Sequence, residues 1–432
     1  MATPRKKVKK VETEDNSAYS EAVSSGTYVR STGLDGKYDN VRLYWEDEST
    51  RFSLRPYLAS VVERNIAQLR RCRILDLGCG SGDGLEMFLQ MRRRQPGVAQ
   101  DEARLLLPDY LGKYVGIDFN EPLLKQARGR WRDHPKAEFR TGDIAGGLPL
   151  RDGERPFDVY FTSYGTMSHL GEDDTVGLLC DIMEHAEDGA IVVGDWLGRY
   201  SYEWQTLWNE SLDEEQWMDY VISYIYPPHR RPHPSKLSRL KLRLLSREEV
   251  ERIVKRVEQK TGSQLKICEL FDRSLLCGRH MDTGDYNPYA KPLRKVINSL
   301  HEDNQRTVLE ELMFNFQPRK GFDRISEFFE QLQASWNSLV RYTMDLLHCY
   351  DEDRETLIDP PDIPKTYPEP LRRALEDMRR VIEGSAWFRM GDPRANVIEP
   401  QLGYGLRNIE LNFQRGLGAG HGLVGVFEVN KR

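Results

Sequence analysis

Apolar positions follow two rhythms along this 432-residue chain. In the first half, short runs rich in Val, Ile, Leu, Phe and Tyr end in turn residues and alternate with segments whose apolar positions recur every three or four residues. The runs predict strands at 73–77 (RILDL), 114–118 (YVGID), 137–140, 157–163 (FDVYFTS) and 190–196 (AIVVGDW). The intervening periodicity predicts helices over 38–69, from Leu85 through LEMFLQMRRR, over 121–131 with Pro122 in its first turn, and over 172–186. Continuous apolar strands alternating with helices indicate a parallel sheet covered on both faces, so the fold class is α/β, doubly wound and mostly parallel.

Beyond residue 200 the pattern changes. Residues 203–226 read as helix crowded with aromatics, and Ser246-Arg247-Glu248-Glu249 is a capping-box start for another. The stretch 265–281 holds one or two strands, and almost everything from 288 to 384 reads as helix. The strongest helix is 322–347, where Ile325, Phe329, Leu332, Trp336, Leu339 and Leu346 step by fours and threes with Thr343 in the missing place. Its apolar face would cover the substrate mouth, a second subunit or simply the protein's own core. The end returns to strand at 422–429. Two segments compete to close the sheet, 274–281 and 422–429, and the second is richer in Val and Phe. The expected organisation is a tail over 1–20, a nucleotide-type domain over 21–282, a large helical insertion over 283–395, and a segment over 396–432 that returns a strand to the first sheet.

Charge narrows the partners. The net charge is −6, although the first ten residues carry five bases and no acid. So acidic a body repels a phosphate backbone, and nucleic acid is not the expected partner; the basic tail reads as a solvated terminus. No stretch approaches the roughly 18 apolar residues of a membrane span, and no signal-peptide core follows the lysines. The six cysteines show no CxxC spacing, which suits reduced thiols and a cytoplasmic location. His229 and His233 lie in PPHRRPHP, whose prolines forbid a shared helical face, so no metal is expected.

The chemistry is concentrated in Ile74-Leu75-Asp76-Leu77-Gly78-Cys79-Gly80-Ser81-Gly82-Asp83-Gly84. A glycine loop between strand and helix lets backbone N–H groups approach a ligand. No Gly-Lys-Ser/Thr is present for a P-loop, and the third glycine of GxGxxG would fall on Asp83. Near the end, Gly420-His421-Gly422-Leu423-Val424-Gly425 does fit that pattern, but it leads into a strand and not a helix. An acid two residues before GxGxG resembles the class I S-adenosylmethionine-dependent methyltransferases, and later pieces fall in the family's order. The resemblance covers 30–200 well and 200–282 loosely, with an expected insertion within 92–112.

That resemblance implies a Rossmann-like methyltransferase sheet, S-adenosyl-L-methionine as cofactor and a set of site residues. Asp76, Gly78, Cys79 and Gly80 would face the methionine end. Asp118 would hold the ribose hydroxyls, Phe119 would pack on the adenine, and Asp143 with Ile144 would meet the adenine's edge. Ser163 lies at the tip of the fourth strand, from which the family reaches donor and acceptor. His169 in SYGTMSHL is the favoured base or acceptor-positioning group, with Tyr164 and Asp195 as rivals; a cap or rim packing is the equally weighted alternative for His169. Trp196, Tyr200 and Trp204 are the aromatic candidates for the substrate wall, against the alternative of packing on the sheet. Tyr38, Tyr44, Trp45 and Arg51 occupy the place of a lid, and Arg51 is either a partner for the donor's carboxylate or a solvated helix charge. The expected reaction is methyl transfer to an oxygen or nitrogen of a small-molecule acceptor, with an aromatic acceptor among those expected. A protein acceptor and a non-catalytic cofactor-binding scaffold are the alternatives, and a homodimer through the helical insertion is an expected arrangement.

Overall fold

The computed structural model describes residues 19–20, 23–24, 37–93, 103–222, 233, 236–278, 286–385 and 391–431. Most of the basic tail, the core of the expected 92–112 insertion, Tyr224, Tyr226 and His229 lie outside the described residues.

The sheet is built from β1 (Cys72–Leu77), β2 (Leu111–Asp118), β3 (Ala137–Thr141), β4 (Val159–Phe161), β5 (Ile191–Gly198), β6 (Gln216–Val221), β7 (Arg239–Leu245) and β8 (Gln264–Arg273), and it is completed by the C-terminal β11 (Gly422–Asn430). Its order is β3-β2-β1-β4-β5-β11-β8. Strands β1 to β5 pair in parallel. β11 runs antiparallel between β5 and β8, with Val424 facing Asp195 on one side and Phe271 on the other. Of the two competing closing segments, 422–429 therefore takes the place beside β5, and the strand that ends at Arg273 lies beyond it. Helices α1 (Asp47–Ala67), α2 (Asp83–Gln90), α3 (Glu121–Arg130), α4 (Glu172–His185) and α5 (Arg247–Thr261) belong to this layer. α5 carries the full capping box, with the Ser246 and Glu249 side chains each bonded to the other's backbone.

Two helical expectations fail, the first of them in the aromatic-rich stretch after residue 200. The described part of 203–226, up to residue 222, gives a short 3-10 turn, Tyr202–Leu207, and then β6, which forms an antiparallel hairpin with β7. β7 in turn pairs with the end of β5 through Leu197↔Leu244. In β6 the buried Met218, Tyr220 and the exposed Trp217 alternate across the ribbon, a period-two pattern hidden among irregularly spaced aromatics.

Between β8 and β11 the chain leaves the sheet for a second core. It comprises α6 (Arg294–Ser299), α7 (Asp323–Cys349), α8 (Glu369–Gly384) and α9 (Glu399–Phe413), with a small ribbon of β9 (Tyr350–Asp351) and β10 (Thr356–Leu357). The stretch 300–322, read as helix from sequence, is mostly irregular, with one 3-10 turn at Leu309–Leu312. The heptad-like face of α7 is buried in this core: Phe329, Leu332, Trp336, Leu339 and Leu346 are all fully covered. α9 packs into the same core through Leu402, Leu406 and Ile409. No helix among the described residues is long and apolar enough to cross a membrane.

Residues 38–46 join the two cores. Arg294 of α6 donates to both oxygens of Asp39 and to Glu46, and Asn298 bonds both Asp39 and the Val41 amide. The Trp45 indole donates to Glu410 at 2.7 Å. Burial pushes the Glu410 carboxyl up to about 7. A carboxyl raised in the folded state stabilises most when protonated, so its contribution is lost as pH rises from its ordinary value of 4.5 through about 7. Thermal unfolding of wild type and Glu410→Gln across that range is expected to show wild type losing stability relative to the neutral variant as pH rises. Parallel curves would contradict the assignment.

Candidate functional site

The site is built at the C-terminal ends of the parallel strands, where open sheets of this kind bind ligands. β1 runs into the loop 78–82, in which Gly78, Gly80 and Gly82 all have left-handed φ. A Cβ at Gly80 would meet nothing within 4 Å, so its backbone borders open space. Gly84, in contrast, sits 2.2 Å from the Asp76 carboxylate if given a Cβ, so only glycine lets α2 start directly over that acid.

A cleft opens beside the loop, lined by Gly78, Cys79, Gly80, Asp118, Phe119, Ser163, Tyr164 and His169 together with Tyr19, Lys37, Arg42, Asp83 and Leu123. Eight of the residues expected from sequence thus share one wall. The Asp118 carboxylate ends β2 and accepts from the Gly80 and Asn120 amides, each at 2.8 Å. Burial pushes its carboxyl up, and those two amides offset part of that shift. Each carboxylate oxygen keeps a lone pair for a further donor. Phe119 follows it with its ring 37% exposed, a free apolar face at the rim. Asp76 is fully buried behind Gly84. It accepts from the Tyr114 hydroxyl, while its Oδ1 has no hydrogen-bond partner among the described residues. Burial pushes this carboxyl up to about 7.

Asp143 and Ile144 do not line this cleft. Asp143 is exposed and caps the Ala145 amide at 2.9 Å, although the preceding Gly142 amide bonds the Asp118 carbonyl, which keeps the turn beside β2. Ile144 packs half-buried against the core on one side of the sheet.

Several candidates for the acceptor side are corrected. Asp195 is buried at 1% exposure and spends its carboxylate on structure. It accepts from the amides of Tyr164 at 2.7 Å and Gly165 at 2.9 Å and is paired with Arg273 through both oxygens. It therefore shapes the turn after β4 and does not line the cleft. Trp196 lies on a strand buried along its whole length and packs against Phe427 of β11. Trp204 is fully buried and donates to the Gly198 carbonyl at 2.8 Å. Tyr200 packs on Trp208 and Phe322, toward the helical core. These three aromatics are consumed by the junction of sheet, hairpin and helical layer. Tyr164 does face the cleft, with a left-handed φ of 53°. Its hydroxyl donates to Asp47, and the guanidinium groups of Arg42 and Arg273 stand 4.2 and 4.5 Å from its ring centroid. His169, half-buried at the end of a 3-10 turn, faces the same cleft with Tyr19 at 6.3 Å between ring centroids.

The lid residues also change roles. Arg51 pairs with Glu48 and bonds Gln90 at 2.7 Å, away from the cleft. The arginine of this region that lines the cleft is Arg42, on a π-helical turn at Arg42–Glu46, which is 2% exposed. Arg42 reaches Asp47 at 3.4 Å and Asp83 at 3.3 Å, yet its buried Nη1 has no hydrogen-bond partner among the described residues. Lys37 at 2.8 Å, Tyr38 at 2.9 Å and Arg130 at 2.5 Å complete the ring around Asp83. Burial raises the Asp83 carboxyl, but Lys37 and Arg42 outweigh it and hold the group well below the usual carboxylate range. Asp83 and Arg42 were missed as site residues. The available signals were an acid opening the helix after the glycine loop and the four-residue spacing of Tyr38 and Arg42, which puts both on one helical face. Among the described residues no group of three or more His, Cys, Asp or Glu could hold a metal ion.

Residues 74–189 match the family model described as methyltransferase domain. No curated protein matches the chain significantly. Among solved structures, the chain is similar to an S-adenosylmethionine-dependent methyltransferase from Clostridium acetobutylicum, at 16% identity over 50% of this chain and 83% of that one, with a TM-score of 0.33. It is also similar to the CcbJ methyltransferase from Streptomyces caelestis, at 17% identity over 59% of this chain and 90% of that one, with a TM-score of 0.35. A third is CalS10, an amino pentose methyltransferase from Micromonospora echinaspora, at 16% identity over 58% and 90% of the two chains and a TM-score of 0.31. At these scores none bears on the acceptor of this chain. Residues 74–189 thus carry a methyltransferase domain.

Proposed function

We propose that this methyltransferase holds its donor in the glycine-loop cleft and methylates an oxygen or nitrogen of a small-molecule acceptor. The observation that carries the donor placement is a pair of unsatisfied buried groups of opposite sign near the glycine loop: the Arg42 Nη1 donor in the cleft wall and the Asp76 Oδ1 acceptor behind Gly84. Buried polar groups without partners are costly, and the methionine end of the donor is a zwitterion that supplies a carboxylate and an ammonium. Arg42, with Lys37 beside it, would take the carboxylate, and Asp76 faces the ammonium end. Asp118 would accept from the two ribose hydroxyls, and Phe119 offers its exposed ring to the adenine.

When bound, the donor supplies a methyl group already activated on a sulfonium. The chain's own work is to align the acceptor, exclude water and remove a proton. Tyr164, fixed in orientation by Asp47, and Tyr19 supply walls, and His169, on the same cleft, would take the acceptor's proton on a ring nitrogen.

Two outcomes follow. Asp76 titrates near 7 in the free protein because it is buried, and an ammonium beside it would draw its pKa down. Donor binding near neutral pH should therefore release protons, visible in calorimetry as a binding enthalpy that changes with the buffer's ionisation enthalpy. A buffer-independent enthalpy would remove Asp76 from the site. His169→Ala should lower turnover about a hundredfold, as for loss of a general base, with donor affinity near wild type. Loss of donor binding with the transfer step intact would place His169 on the donor's side of the cleft.

A further inference from the structure

Residues 37–46 form a strap with two faces. One looks toward the glycine loop: Lys37 reaches Ser81 at 3.1 Å, and Lys37, Tyr38 and Arg42 all contact Asp83. The other is held by α6 of the helical core. The Arg294 guanidinium donates to both Asp39 oxygens, at 2.7 and 2.6 Å, and to Glu46 at 3.0 Å. One side chain thus ties together residues on either side of Arg42. Asn298, one turn further along α6, donates to Asp39 at 2.9 Å and accepts from the Val41 amide at 2.7 Å. Arg42 is fastened to the same acid by its own amide, which donates to Asp39 Oδ1 at 2.9 Å. Arg294, Asn298, Asp39 and Glu46 are all buried. Burial works against the Arg42 charge, and Asp47, Asp83, Tyr38 and Glu46 outweigh it, so Glu46 acts on this guanidinium as well. With Asp39 and Glu46 engaged by Arg294, Arg42 turns to Asp47 at 3.4 Å and Asp83 at 3.3 Å. It keeps a buried Nη1 without a hydrogen-bond partner among the described residues.

We propose that Arg294 is a positioning residue for the donor: by engaging Asp39 and Glu46 it holds the Arg42 guanidinium in the cleft wall, where it meets the donor's carboxylate. The inference rests on the reading of Arg42 given above. It makes the helical core part of the donor site, although none of that core's described residues lines the cleft. Removing one partner of a buried ion pair leaves an uncompensated charge, which is strongly unfavourable. Without the Arg294 charge, Asp39 and Glu46 are two such acids beside a buried cation. They draw the Arg42 guanidinium toward themselves and out of the cleft. The π-helical turn Arg42–Glu46 is a rare winding of the kind that recurs at functional sites.

The test is calorimetric titration of the full-length protein with S-adenosylmethionine and with 5′-methylthioadenosine, which keeps the adenosine and lacks the amino-acid end. Arg42→Gln and Arg294→Gln should each weaken S-adenosylmethionine by about tenfold or more, the loss of a bond to a charged group. Methylthioadenosine should be affected by no more than about twofold, since neither residue meets what it retains. In the Arg42→Gln background, Arg294→Gln should add no more than about twofold to the loss, while its lowering of the thermal unfolding midpoint persists. Asn298→Ala breaks part of the same clamp without stranding a charge. It should weaken S-adenosylmethionine alone by about threefold, and it carries the test where Arg294→Gln does not fold. Wild-type affinity in Arg42→Gln would overturn the assignment of Arg42 itself, and the role of Arg294 with it. With Arg42→Gln weakened, the role of Arg294 alone is overturned by unchanged affinity in the clamp variants, by additive losses in the double variant, or by equal losses of both ligands.

Discussion

Asp118→Ala is expected to bind S-adenosylmethionine at least tenfold more weakly while remaining folded. The carboxylate stands at the cleft wall with a spare lone pair on each oxygen, placed for the two hydroxyls of a ribose. Hydrogen bonds to a charged group contribute about 1.5–3 kcal/mol each, so losing even one exceeds the tenfold mark. The substitution also releases the Gly80 amide, which the same carboxylate holds against the open side of the loop. Asp118→Asn separates the two effects. It keeps the shape but presents an NH₂ to one of the amide donors, so the loop loosens even where a ribose bond survives. Calorimetry on both variants, with circular dichroism as the folding control, reads the result. Unchanged affinity in folded Asp118→Ala would remove this acid from the donor site.

The second large effect is structural. Removing residues 420–432 should abolish cooperative folding and with it donor binding. β11 is an interior strand, registered with β5 from Gly422↔Leu197 to Glu428↔Ile191 and with β8 along its other edge. Val424, Val426, Phe427 and Val429 are all buried. Its loss would leave β5 with an unpaired apolar edge and cut β8 away from the sheet. Displacing β8 would also undo the preceding turn, in which its Asp272 accepts from the amides of Leu417, Gly418 and Ala419, each at 2.8 Å. A chain ending near residue 282 lacks the same strand and should fail in the same way, as followed by thermal denaturation. A cooperative transition with retained donor binding in that shorter chain would show that the sheet is complete without β11.

The parts of this architecture that were legible in the sequence are those with a local signature. Strands β1, β2 and β5 are buried on both faces and spell themselves as apolar runs, and β2 ends in Asp118, which lines the cleft. The glycine loop is legible because its positive φ values demand glycine. The hairpin β6–β7 was not, because its alternation is short and embedded in aromatics that also suit a helix. The acceptor side was misread for a different reason. Whether Trp196 points at a ligand or into the core depends on β11 packing over it, more than 200 residues away in the chain. Arg42 meets Asp83 across 41 residues, and Arg294 meets Asp39 across 255. Such pairs leave no periodicity, and single charged residues in the lid region are equivalent until the fold selects one. Arg42 was selected and Arg51 was not.

The most direct measurement follows a labelled methyl group. The protein is incubated with S-adenosylmethionine carrying an isotopically labelled methyl and with a cell extract divided into a small-metabolite fraction and a macromolecular fraction. Label should accumulate in a low-molecular-mass product from the metabolite fraction, fall at least tenfold with Asp118→Ala at donor concentrations below saturation, and fall about a hundredfold in rate with His169→Ala. Label recovered only on protein or nucleic acid, or donor bound without any transfer, would contradict a small-molecule methyltransferase built on this cleft.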